Sequence, residues 1–288
     1  MVQNKWGWKR NRVLVTLFLV IILLASCFFT WWFVTGESER WHRKKYGIPA
    51  GVCLGNIEIG GYYPEEVRKL LVEESKKLVK WPCSASIDRQ GVVTPEIWGQ
   101  ILDLEATVDL VKTAQAGEVV YPVMVMIYPD LRSEEIFALN RTLGLYYTIV
   151  GGSEDRLHNI KTGGKLLNYT LLMPGEIFSF VRTVGEPSTE RGFREAPVIV
   201  GEEFVPGVGG GLCQISTTLY NAVLKANLEV MERYPHSQQI NYVPAGMDAA
   251  VAYDYLDFKF RNSLKYPILV KVNVWGRRLQ IGIYGPDR

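Results

Sequence analysis

Three glycines, Gly209-Gly210-Gly211, lead through Leu212 into Cys213, and Cys213 opens a stretch with helical periodicity. Leu212, Ile215, Leu219, Ala222, Val223 and Ala226 recur at three- and four-residue intervals, which predicts an amphipathic helix. Cys213, Ser216, Thr217 and Tyr220 share another face of it. A thiol in the first turn of a helix sits at the positive end of the dipole, which favours its thiolate. Used as a nucleophile, it needs a base and a group to orient that base. The chain has three histidines, His42, His158 and His236. His236 follows the predicted helix in Tyr234-Pro235-His236-Ser237, where a loop can swing back. Asp248, Asp254 and Asp257 are candidates to orient an imidazole. The Gln214 side chain and the backbone N–H groups of Cys213 and Gln214 are candidate oxyanion donors.

The same glycine run admits a second chemistry. A helix N-terminus behind flexible backbone can cradle a carboxylate at a peptide end. Gly209, Gly210, Gly211, Gln214, Ser216 and Thr217 are then binding residues, and Cys213 is merely small. Nucleotide chemistry has no support, because neither a GxxxxGK[ST] loop nor a strand-GxGxxG-helix unit is present. Three histidines and no zinc-type cysteine spacing predict no metal site, and no cofactor is implied. The net charge of +2 points to neither nucleic acid nor an anionic surface.

Several separated segments resemble the VanW family. They are MPGEIFSF at 173–180, Gly192-Phe193-Arg194-Glu195-Ala196, GGGLCQISTTLYNAVLKANLEVMERYPHS from Gly209, and YVPAGMDAAV at 242–251. The resemblance spans about residues 145 to 285 and implies a bacterial cell-envelope protein with its body outside the cytoplasm. His236 and Asp248 fall in matching segments, so Cys213, His236 and Asp248 form the candidate catalytic set. Residues 47–130 resemble peptidoglycan-binding domain 4 through Gly51-Val52, Gly60-Gly61, the start Pro64-Glu65-Glu66, and Ile101 to Val108. That resemblance implies peptidoglycan or its stem peptides as partner. It departs from the pattern at Tyr63, where a small capping hydroxyl is usual. The leading expectation is noncatalytic peptidoglycan binding or a cell-wall accessory role. The alternatives are a cysteine-dependent amide hydrolase or acyl transferase acting through Cys213, and a scaffold for envelope enzymes.

The elements that must position these residues follow a membrane anchor. Val13–Val34 carries no charge and, as a helix, spans roughly 33 Å, enough for a bilayer core. Lys5, Lys9, Arg10 and Arg12 precede it, and Trp6, Trp8, Trp31 and Trp32 flank it as an aromatic belt would. The reading is a cytoplasmic arm at 1–12, a single-pass anchor at 13–34 and a stalk at 35–46. Leu24-Ala25-Ser26-Cys27 resembles a lipoprotein cleavage box, but the aromatic run after it favours an uncleaved anchor. The body is predicted to be α+β. It comprises a small domain at 47–130, a linker at 131–144 and a second domain at 145–288 that ends in an antiparallel sheet. Short helices are expected at 95–98, 107–116 and 133–140, a helix at 155–171, and strands at 119–128, 177–181 and 249–260. Ile268 to Trp275 should pair with Leu279 to Tyr284. Cys53 and Cys83 either bridge or stand as two buried thiols.

Overall fold

The computed structural model describes residues 5–201, 203–253 and 255–287. The chain is α+β and divides into two compact units. One holds Met1–Pro82 and Trp98–Tyr128; the other holds Cys83–Ile97 and Pro129–Arg288. The excursion at 83–97 therefore belongs with the second unit.

The first unit begins with α1 (Lys5–Tyr46), a single helix of 42 residues and about 63 Å. Leu17–Tyr46 within it is long and apolar enough to cross a membrane, and its most apolar 18-residue window has a mean hydropathy of 2.5. The stretch expected as a stalk continues the same helix. Gly47 ends it, and Arg43 in its last turn makes a two-pronged pair with Glu66 at 2.7 and 2.8 Å. Strand β1 (Cys53–Leu54) turns at Gly55 into β2 (Ile57–Glu58). Helix α2 (Pro64–Leu78) starts on Pro64, whose fixed φ suits the first turn. Tyr63 gives it no side-chain cap; instead the Glu66 carboxylate accepts from the Tyr63 N–H at 2.9 Å. Val67 and Leu71 of α2 are fully buried.

Further along, β3 (Ser86–Ile87) and β4 (Val93–Thr94) form a hairpin of the second unit. No helix forms at 95–98, because Cys83 and Ile97 exchange two backbone hydrogen bonds of 2.8 Å and hold the chain extended. The first unit resumes with β5 (Gly99–Leu102) and α3 (Leu104–Thr113). Asp103 caps α3 by accepting from the Ala106 N–H at 3.0 Å, so the helix starts earlier than expected. The strand expected at 119–128 is broken at Pro122 into β6 (Val119–Val120) and β7 (Met124–Ile127). β6 runs parallel to β1, and β7 antiparallel to β5. Val52, Ile59, Val67, Leu71, Val108 and Val111 form this unit's core.

In the second unit, α4 (Ser133–Phe137) leads directly into β8 (Leu139–Ile149). The stretch expected as a linker at 131–144 is thus structured. Two register shifts against its partner strand break the two-residue period of β8, which hides the strand in the sequence. Helix α5 (Glu154–Leu167) follows, capped by Ser153. It stops short of the expected Leu171, since Tyr169 adopts a left-handed φ of 54° and the chain enters β9 (Thr170–Leu172). Next come β10 (Ile177–Ser179), α6 (Phe180–Val184) and a hairpin of β11 (Glu195–Val200) and β12 (Glu203–Val208). The glycines separate β12 from α7 (Leu212–Lys225). The rest is β13 (Glu229–Glu232), β14 (Lys259–Arg261), β15 (Ile268–Trp275) and β16 (Arg278–Pro286). Only Lys259–Arg261 of the expected 249–260 strand is regular.

The four-stranded antiparallel sheet has the order β8-β16-β15-β9, and a three-stranded sheet the order β10-β14-β13. Helix α7 lies against β8 and β16 on one side and α5 on another. Gly144 of β8 permits this approach, because a Cβ there would collide with the Ala222 carbonyl of α7. Of the expected second face of α7, Ser216 and Thr217 are buried while Cys213 and Tyr220 are half-buried; Gln214, Thr218 and Asn221 are buried as well.

Candidate functional site

Helix α7 positions the thiol and also explains where its polar residues go. Cys213, Thr217 and Asn221 are spaced i, i+4 and i+8, so they line one face. Each meets the backbone of the segment 247–251. Cys213 Sγ donates to the Val251 carbonyl at 3.3 Å, and Thr217 Oγ1 accepts from the Ala249 N–H at 3.0 Å. Asn221 Nδ2 donates to the Met247 carbonyl at 2.7 Å. Alternate residues of the segment thus face the helix, and Asp248 points the other way.

There Asp248 gathers two partners from the chain after β13. Arg233 Nη2 donates to Asp248 Oδ1 at 2.7 Å. His236 donates to Oδ2 from its backbone N–H at 2.6 Å and from Nδ1 at 2.7 Å. Burial alone would raise the Asp248 carboxyl, but the His236 hydrogen bonds and the Arg233 charge outweigh it and hold it below its ordinary value. Since an ionised carboxylate only accepts, Nδ1 carries the proton of this bond. The neutral ring then has its lone pair on Nε2. That atom is buried and unpartnered, in a side chain only 3% exposed.

His236 and Cys213 line the same cavity of about 620 Å³. Arg156, Gln214 and Tyr242 add polar groups, and Phe180, Val198, Phe204 and Val208 add apolar wall. Gly209, Gly210 and Gly211 form another part of the wall, beside the helix N-terminus. The thiol is partly buried, and desolvation pushes it up from its ordinary value against the smaller effects of the Val251 bond and the Arg156 charge. It therefore rests as a protonated donor, contrary to what the helix dipole alone predicts. Burial likewise pushes the Tyr242 phenol up, with the neighbouring Cys213 adding to it. Sγ makes its hydrogen bond to Val251 rather than to the imidazole.

The glycines serve packing as much as recognition. A Cβ on Gly210 would lie 2.6 Å from both the Ala196 and Pro197 carbonyl oxygens. Gly211 caps α7 at a φ of 115°, a conformation that L side chains disfavour. Gly210→Ala is expected to lower the unfolding free energy by about 3 kcal/mol, since the obstacle is backbone that cannot rotate away. Urea unfolding followed by tryptophan fluorescence checks this, and an unchanged midpoint would refute the packing account.

Several expected roles change. Gln214 does not offer an oxyanion donor. Its Nε2 is committed to Thr148 Oγ1 and the Ile149 carbonyl, both at 3.0 Å, and its Oε1 accepts from Arg156. The Gln214 N–H bonds the Gly211 carbonyl at 3.0 Å, whereas the Cys213 N–H finds no backbone acceptor among the described residues. Ser216 and Thr217, expected as binding residues, are fully buried and stand outside the cavity wall. His158 meets the Gly192 carbonyl at 2.8 Å, and His42 belongs to α1. Asp257 caps α6, accepting from Ser179 Oγ at 2.6 Å and the Val181 N–H at 2.9 Å. Asp254 lies outside the described residues. All four cysteines are free, Cys53 and Cys83 included. Sequence reasoning missed Arg156, Arg233 and Tyr242. Arg156 stands two residues before His158, Arg233 three before His236, and Tyr242 opens the segment 242–251, yet none of the three is a residue type that nominates itself as nucleophile or base.

Residues 155–284 match the family described as VanW like protein, a span that contains Arg156, Cys213, His236 and Asp248. The Bacillus subtilis protein called Uncharacterized protein YoaR is 34% identical over 229 residues, which cover 77% of this chain and 75% of that protein. Vancomycin B-type resistance protein VanW of Enterococcus faecalis is 30% identical over 118 residues, 38% of this chain and 42% of that protein. No solved structure matches the chain significantly.

Proposed function

The chain belongs to the VanW-like family of cell-envelope accessory proteins, and we propose that its cavity performs thiol-dependent acyl transfer or hydrolysis on amide bonds of cell-wall peptides. The observation that carries this reading is the His236–Asp248 pair. Its Nε2 is buried without a partner among the described residues, and His236 lines the same cavity as Cys213. In this reading α1 anchors the protein in the membrane and the body faces the wall.

Cys213 Sγ leaves the Val251 carbonyl and attacks the carbonyl carbon, while His236 Nε2 takes the thiol proton. Asp248 stabilises the imidazolium that results. The Cys213 N–H is placed to meet the developing oxyanion at the helix N-terminus. The C–N bond breaks as His236 returns the proton to the leaving amine. Water or an acceptor amine then resolves the thioester. The raised thiol fits a nucleophile that ionises only with substrate in place, because apo geometries are commonly looser than reactive ones.

A second reading rests on the ladder from Cys213, Thr217 and Asn221 to 247–251. There the thiol is a rung, and the cavity only binds wall peptides. Intact-protein mass spectrometry separates the two. The full chain in detergent micelles, incubated with muropeptides, should gain a peptide mass that hydroxylamine removes. Retained binding with no such adduct, at any time of quenching, would leave the binding reading in its place.

A further inference from the structure

Among the described residues that wall the cavity, Arg156 is the only lysine or arginine, and none is an aspartate or glutamate. The acidic residues beside it on α5 are already taken. Glu154 pairs with Arg277, and Asp155 with Arg194 at 2.9 Å. Arg156 has no ion-pair partner among the described residues, and its Nη2 donates to the neutral Gln214 Oε1 at 3.0 Å. Gln214 is itself fixed by Thr148 and Ile149, so this contact points the guanidinium along the cavity wall.

The fold makes room for this side chain. A Cβ on Gly152 would lie 3.2 Å from Arg156 Cδ, and one on Gly211 3.3 Å from its Cγ. Both glycines have left-handed φ values, of 84° and 115°, so side chains are excluded there on two counts. Arg156 lines the same cavity as Cys213 and Tyr242, and its charge lowers both groups slightly against their burial. His236, whose buried Nε2 has no partner among the described residues, lines the same cavity. A cation in a mostly apolar wall, without a counter-charge, is a poor neighbour for solvent-free surface and a good one for an anion. Guanidinium offers a planar fork that matches a carboxylate in two parallel hydrogen bonds.

Building on the function proposed above, we propose that Arg156 receives a free carboxylate of the ligand. The site then selects peptides that end in a carboxylate close to the amide presented to Cys213. Arg156 is a specificity residue here, and the proton transfers remain with His236.

The test uses the full chain in detergent micelles with Cys213→Ala, so that nothing turns over. The probes are synthetic cell-wall stem peptides of four and five residues, each made with a free C-terminal carboxylate and with a carboxamide. Isothermal titration should show one carboxylate form binding about ten-fold or more tighter than its carboxamide. Adding Arg156→Gln should bring the two forms to equal affinity without weakening the carboxamide, and Arg156→Lys should restore part of the preference. A merely structural Arg156 would instead shift both forms together. Equal affinities in the protein that retains Arg156 overturn the proposal, need no Arg156 variant, and leave the wall-peptide reading intact. A preference that survives Arg156→Gln overturns it as well. Failure of every peptide to bind overturns the wall-peptide reading, and this proposal with it.

Discussion

Cys213→Ser is expected to fold like the parent protein and to fail to complement a deletion strain, with activity on wall peptides lowered by about 10³-fold or more. A hydroxyl can replace the thiol as donor to the Val251 carbonyl, so the ladder along α7 survives. In a site built around a thiol it is a much poorer attacking and leaving group, because its pKa lies far above that of the thiol. Cys213→Ala should be equally inactive and modestly less stable, because the Val251 carbonyl loses its partner. The serine variant is the decisive one, since it separates chemistry from architecture. Growth and wall composition at parental levels with Cys213→Ser, at matched protein abundance, would remove the nucleophile and leave the rung.

Asp248→Ala is expected to cost about 3 kcal/mol of stability and most of the activity. The residue is 7% exposed and holds three donors from Arg233 and His236. Removing it takes the carboxylate from the Arg233 guanidinium, which keeps only the Asp248 and Gly246 backbone carbonyls, and leaves the His236 imidazole and N–H without their acceptor. Asp248→Asn keeps the shape but not the charge, and should recover part of the stability and little of the activity. The pH dependence follows from the lowered carboxyl. A group whose folded value lies below its ordinary 3.8 stabilises fully above that value and loses its contribution as pH falls through the folded one. The stability gap between parent and Asp248→Asn should therefore be constant from about pH 7 to pH 5 and shrink below about pH 4. Urea unfolding of the full chain across that range measures it. A gap that closes between pH 5 and 7 would contradict the ionised Asp248 at the centre of this site.

The long apolar helix, the α7 stripe and the C-terminal hairpin were legible because each is a local pattern. An uncharged run needs only its own length to span a bilayer, and Ile268 to Trp275 announces its pleat by alternation around the turn at Gly276. Cysteine, histidine and aspartate could be nominated from residue type, chain order and family resemblance. Strand β8 was not legible, since its bulges break the two-residue period and Gly144 is placed for contact with a helix far away in sequence. Nor were the neighbours of the thiol. Helical spacing put Cys213 and Thr217 on one face, but what covers that face is a segment more than thirty residues onward. Sequence alone thus determined which residues are equipped for chemistry, and it determined the α7 helix and the C-terminal hairpin. Tertiary packing decided their chemical state: it buried the thiol and raised it, tied Asp248 to Arg233 and His236, and brought Arg156 into the wall without a counter-ion among the described residues. The reason is that protonation and hydrogen bonding depend on desolvation and on charges a few ångströms away, and those neighbours come from distant parts of the chain.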